Sequence, residues 1–147
     1  MDVTQDTFDR EVLQASARQP VLVDFWAPWC APCRALGPVL EKLEREAAGA
    51  WRLAKVNLDE NPELAARYGV RSIPNVIAFR GGKPAGSFLG ALPESQVRGF
   101  IGRLADLARL DQAEALIGAG QAEQAERLLG EVQPDAELDA RREALAA

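Results

Sequence analysis

The chain predicts an α/β fold: a mixed central sheet flanked by helices, followed by a short all-helical C-terminal extension. Three observations predict it. Apolar runs of strand length alternate with segments of helical spacing, which implies parallel strands joined by helices. A Gly81-Gly82 pair between two later strand-like runs implies one antiparallel hairpin. Beyond residue 107 only helical spacing remains, in a stretch of different charge.

Each element has its own reason. Asp6 to Arg18 spaces Phe8, Val12, Leu13 and Ala17 for one helical face. Pro20 ends that connection. Val21 to Ala27 is apolar except at Asp24, as expected of a strand covered on both faces. Ala31 to Ala48 places Ala35, Leu36, Val39, Leu40, Leu43 and Ala47 at helical spacing. Pro38 inside it removes a backbone donor and predicts a kink. Glu41, Lys42, Glu44, Arg45 and Glu46 form the expected solvated side. Trp51 to Leu58 reads as a second strand. Asn61 then serves as N-cap, Pro62 suits the first helical position, and Gly69 fits the C-terminal cap. Val70-Arg71-Ser72-Ile73-Pro74 leads into a strand from Asn75 to Phe79, and Ala85 to Leu89 returns beside it. Pro93-Glu94-Ser95 opens a helix with Val97, Phe100, Ile101, Leu104 and Leu107 on one face.

A length of 147 residues suits one ordinary domain, or one small domain plus an appendage. Residues 1–105 hold 12 acidic and 13 basic side chains, whereas residues 106–147 hold 10 and 4. That shift supports a division into 1–107 and 108–147. The net charge of −5 argues against a nucleic-acid surface. No apolar run approaches a membrane span. The first residues are acidic and polar, without the basic start and apolar core of a secretory signal, so a cytoplasmic location is expected.

The chemistry concentrates in Trp26-Ala27-Pro28-Trp29-Cys30-Ala31-Pro32-Cys33, which contains both cysteines of the chain. Two cysteines are too few for a disulfide scaffold or a tetrahedral zinc site, and no histidine is present to complete one, so no metal is expected. Cys30 falls where a strand ends and a helix begins. Unpaired N–H groups there carry partial positive charge and favour a thiolate. A thiolate is the nucleophile, and Cys33, one turn on, can resolve the mixed disulfide it forms. The pattern therefore predicts a dithiol–disulfide exchange site. Any acid–base chemistry must use a carboxylate, a thiol, a lysine or water. Asp24, inside the apolar run, is the candidate carboxylate. Lys55 is either its partner or a solvated strand lysine.

These residues resemble a known family. The Val23 to Ala27 strand end, Trp29-Cys30-Ala31-Pro32-Cys33-Arg34, Pro38, Ala54-Lys55-Val56-Asn57, Tyr68-Gly69-Val70, Arg71-Ser72-Ile73-Pro74 and Gly90 fall in thioredoxin order and spacing. The resemblance covers about residues 2 to 107. It implies the thioredoxin fold and a protein-disulfide reductase in which Cys30 attacks, Cys33 resolves, and Asp24 accepts the Cys33 proton with Lys55 beside it. It also implies a cis bond before Pro74 and substrate contacts at Trp29, Ala31, Pro32, Ile73, Pro74 and Gly90. The redox-active pair itself would be the only prosthetic element, and the expected partners are thioredoxin reductase and disulfide-containing client proteins. Three positions depart from the common pattern: Ala31 stands for Gly, Arg34 for Lys and Asn75 for Thr.

The extension has a pattern of its own. Leu110, Ala113 and Ile117 fit a short helix, Gly118-Ala119-Gly120 breaks it, and Ala122, Ala125, Leu128, Leu129 and Val132 fit a second, ended by Pro134. A third segment carries Leu138 and Leu145. The pair resembles one tetratricopeptide unit, and the layout resembles the bacterial thioredoxin–tetratricopeptide co-chaperones (chaperedoxins). That resemblance implies an alternative function, a redox-active co-chaperone or holdase in which residues 109–147 bind chaperone or client proteins.

Overall fold

The structure, a computed structural model, describes residues 1–130. The chain divides into two compact units, Met1–Val97 and Arg98–Ala147. The first contains a four-stranded sheet of β1 (Val21–Trp26), β2 (Arg52–Asn57), β3 (Asn75–Arg80) and β4 (Lys83–Leu89), ordered β2-β1-β3-β4. The helices along the chain are α1 (Ala31–Ala47), α2 (Pro62–Arg67), α3 (Glu94–Gly118) and α4 (Ala122–Gly130). β1 pairs parallel with β2 across the α1 connection and antiparallel with β3. β3 and β4 form the expected hairpin. Gly81 and Gly82, both at positive φ, make its two-residue turn, a conformation costly for residues with a Cβ.

Alternation along β1 sorts its side chains. Val21, Val23 and Phe25 join Phe8, Val12, Ala54, Val56, Ile77 and Phe79 in one core cluster. Leu22 and Asp24 point to the opposite face. Each large apolar side chain buried this way contributes roughly 1.5–3 kcal/mol. In register, Asp24 lies opposite Lys55 of β2 and Val76 of β3.

The N-terminal segment departs from a regular helix over Asp6 to Arg18. It forms a wide π-helical turn, Asp9–Gln14, then a tight 3-10 turn, Ala15–Ala17. Val12 and Ser16, four residues apart, are both buried. The Ser16 carbonyl accepts from Gly81 N–H and its hydroxyl oxygen from Gly82 N–H, each at 2.8 Å, which ties the hairpin turn down. The first residues also pair with β2: Val3 N–H donates to Lys55 O and Lys55 N–H to Met1 O.

Asn61 precedes α2 as expected, but its side chain does not cap that helix. Its oxygen accepts from Gln5 N–H, and its amide donates to Asn57 O. Gln5 Oε1 instead accepts from Glu63 N–H in the first turn of α2.

The expected break between two helices near residues 107–110 is absent. α3 is continuous because Asp106-Leu107-Ala108-Arg109-Leu110 contains no breaker and its Asp106–Arg109 ion pair spans one turn at 2.8 Å. In the second unit Leu110, Ala113, Ala125 and Leu129 form a buried cluster, with Leu107, Leu116 and Leu128 packed against it. Gly120, at φ +79°, stops α3: Gln121 N–H reaches Leu116 O and Gly120 N–H reaches Ile117 O, the paired bonds of a Schellman cap. The expected helix end at Pro134 and the segment with Leu138 and Leu145 lie outside the described residues.

Candidate active site

β1 delivers the chain to the site, and α1 begins there. Cys30 is the N-cap of α1, with extended backbone (φ −89°, ψ 107°), and Pro32 occupies the first turn. Cys30 and Cys33 are joined as a disulfide with a Cα–Cα separation of 5.3 Å, inside the ordinary range for such bonds. Cys30 Sγ also accepts the Cys33 backbone N–H at 3.2 Å. Both cysteines are nearly enclosed, while Ala31 and Pro32 between them are exposed. Ala27 completes the cluster around the sulfurs, and Trp26 and Ile73 pack against it.

The rim of the site is apolar and open. Trp29 is 68% exposed, and its Nε1 donates to Asp59 Oδ1 at 3.2 Å. Arg34 donates to Pro28 O at 2.8 Å, bracing the turn that presents Trp29. The Ile73–Pro74 bond is cis, as the family resemblance implies. Pro74 O accepts from Gly90 N–H at 2.8 Å, joining two of the expected substrate positions. A Cβ at Gly90 would meet nothing within 4 Å, so the space next to its Cα is open.

Asp24 is 1% exposed, and among the described residues neither carboxyl oxygen has a hydrogen-bond partner. Burial pushes its pKa up from 3.8 to about 6; the Lys55 charge opposes the rise and the Glu41 charge adds to it. The expected Asp24–Lys55 pair is a neighbour in register and in charge, not a hydrogen bond. The Lys55 ammonium donates instead to Glu41 Oε1 at 3.2 Å and lies 4.9 Å from the centre of the Trp26 ring. The lysine stem is long enough to carry its charge past Asp24 to the flank of α1.

Glu41 and Glu44 stay partly exposed on the flank of α1 but face β2 as well as solvent. Glu44 Oε2 accepts from Leu53 N–H at 2.6 Å. Sequence reasoning missed Glu41 and Asp59 as members of the site. Glu41 sits one helical turn from Gly37, over which the Lys55 side chain passes. A Cβ at Gly37 would lie 3.7 Å from Lys55 Nζ. Among the described residues no cluster of three or more His, Cys, Asp or Glu could hold a metal, and no helix is long and apolar enough to cross a membrane.

A cysteine pair at a helix start, against a cis-proline loop on a mixed α/β sheet, defines a thiol–disulfide oxidoreductase. The thioredoxin family model matches residues 1–103. Thioredoxin 1 of Nostoc sp. is 47% identical over 93 residues, covering 63% of this chain and 85% of that protein. A thioredoxin of Acidithiobacillus ferridurans is 43% identical over 99 residues, covering 67% and 90%. The chloroplastic M-type thioredoxin of Chlamydomonas reinhardtii is 45% identical over 95 residues, covering 65% and 66%. The chain belongs to the thioredoxin family.

Proposed function

We propose that the chain reduces protein disulfides with two electrons held by Cys30 and Cys33. The observation that carries this reading is the seat of the Cys30 sulfur, at the mouth of α1 and accepting the Cys33 N–H. The same surroundings favour a thiolate there once the pair is reduced. That thiolate attacks one sulfur of a substrate disulfide; the substrate S–S bond breaks, and its other sulfur leaves as a thiolate. Cys33 then gives up its proton and attacks Cys30 Sγ. The Cys30–substrate bond breaks, the second substrate sulfur leaves, and the Cys30–Cys33 disulfide remains. Asp24 receives the Cys33 proton and returns it to the departing sulfur, with Lys55 tuning the carboxyl.

Trp29, Ala31, Pro32, Ile73, Pro74 and Gly90 form the docking surface. The open space next to the Gly90 Cα supports the approach of an extended substrate segment along the Ile73 backbone. The disulfide is the redox group, so no further cofactor is required. Thioredoxin reductase in the cytoplasm restores the dithiol, and disulfide-containing proteins are the substrates. Residues 1–107 carry this activity, with 108–147 as an appended helical segment.

The test is insulin reduction coupled to NADPH and thioredoxin reductase. The full chain turns over, and Cys33→Ser stops turnover while accumulating substrate disulfide-linked to Cys30. Turnover by Cys30→Ser, or a Cys33→Ser protein that traps nothing, overturns the reading. The co-chaperone alternative leans on one observation, the packed α3–α4 pair. Suppression of client aggregation by the full chain with both cysteines changed to serine would favour it.

A further inference from the structure

We propose that Glu41 is a positioning residue of the exchange reaction: it holds the Lys55 ammonium on the flank of α1 and so leaves the buried Asp24 carboxyl free to carry a proton. This rests on the reading of Asp24 as acceptor of the Cys33 proton.

Two contacts fix where the Lys55 charge sits, and its path over α1 runs past Gly37. Its Nζ donates to Glu41 Oε1 at 3.2 Å, lies 4.9 Å from the centre of the Trp26 ring, and would be 3.7 Å from a Cβ at Gly37. Gly37 and Glu41 are four residues apart, on one face of α1. The ammonium is therefore held between one helical turn and an aromatic face. Yet its backbone lies directly opposite Asp24 in the sheet. A lysine in that register, without a competing acceptor, would reach the carboxylate and form an ion pair. Such a pair would keep Asp24 ionised and make it a poorer base for a thiol.

Among the described residues, the charges that act on Asp24 come from two elements. β2 offers Lys55, α1 offers Glu41, and β3 places the uncharged Val76 in register. The charges of Lys55 and Glu41 act on Asp24 in opposite directions, the first lowering and the second raising its pKa. The sidedness of the Lys55 contact adds to this balance. Its hydrogen bond goes to the partly exposed glutamate and not to the buried aspartate. Position 41 thus decides whether a fixed lysine quenches the buried carboxyl or stands aside from it.

The experiment follows the Asp24 carboxyl carbon by NMR in the oxidised protein as pH is varied, in wild type, Glu41→Gln, Glu41→Asp, Lys55→Met and the Glu41→Gln/Lys55→Met double variant. Glu41→Gln is expected to lower the Asp24 midpoint from its value of about 6, and Glu41→Asp to restore it. In the Lys55→Met background the Glu41→Gln effect should shrink, because the lysine that Glu41 restrains is gone. An unchanged midpoint in Glu41→Gln overturns the proposal. So does an equal shift with and without Lys55, which would make Glu41 only a direct repulsive charge. The pH–rate profile of insulin reduction should move with the midpoint and fall several-fold on its plateau in Glu41→Gln. If the NMR shifts occur while Asp24→Asn reduces insulin at the wild-type rate, the positioning stands and the proton-acceptor reading fails.

Discussion

Asp24 in the first compact unit and Asp106 in the second are both 1% exposed, but their surroundings differ. Asp106 is bound by Arg109 at 2.8 Å, one turn along the same helix. Asp24 faces a lysine in register and forms no hydrogen bond at either oxygen among the described residues. A buried carboxylate with its counter-ion bonded is a structural element. One whose counter-ion is held elsewhere is unstable as an anion, which suits a group that must take up and release a proton. The first arrangement stabilises a helix, and the second gives up stability for chemistry.

The largest effect expected from testing this contrast is kinetic. Asp24→Asn should slow the resolving step by about 10²–10⁴-fold, the usual range for a lost general base, read by stopped-flow release of substrate from the Cys30 mixed disulfide. A wild-type rate would put Asp24 in the same structural category as Asp106. The next effect is thermodynamic and has a defined sign. The folded-state pKa of Asp24 lies above 3.8, near 6. Between those values the native protein keeps a proton that the unfolded chain has released. Its contribution is therefore intact below pH 4 and is lost as pH rises through 6. The shift corresponds to about 3 kcal/mol. Asp24→Asn should thus raise stability at pH 8 by up to about 3 kcal/mol and by nothing at pH 3.5, measured by urea denaturation across pH. A smaller effect of opposite direction is expected in the second unit. Arg109→Ala strips the buried Asp106 of a partner and should cost about 1–3 kcal/mol while leaving insulin reduction unchanged.

Much of this was legible in the chain because local chemistry decided it. Gly81-Gly82 predicts its turn wherever the strands pack, and the Cys30 position follows from a strand stop at Trp26 and a helix start at Ala31. What escaped were choices made by long side chains and by winding. Lys55 has several acceptors within reach, and nothing in one dimension says that Glu41 wins over Asp24. Gln5 caps α2 from 58 residues away, a contact no local window contains. The stretch around Asp106 to Leu110 has neither a helix stop nor a strong amphipathic phase, so α3 read as two helices. The π-helical turn over Asp9–Gln14 has the apolar spacing of an ordinary helix, and the bond from Gly82 N–H to the Ser16 hydroxyl that follows it is another contact beyond any local window.

The outer strand of the hairpin has a consequence for the protein at high concentration. β4 ends the sheet, and it begins Lys83-Pro84 and carries a register irregularity opposite Ala78 and Phe79. A cation, a residue with no amide hydrogen, and a bulge that bends the strand are each poor templates for a foreign strand. The opposite margin is occupied by the chain's own Met1 to Val3. Both rims of the sheet thus carry features that disfavour edge-to-edge pairing with a strand of a neighbouring molecule.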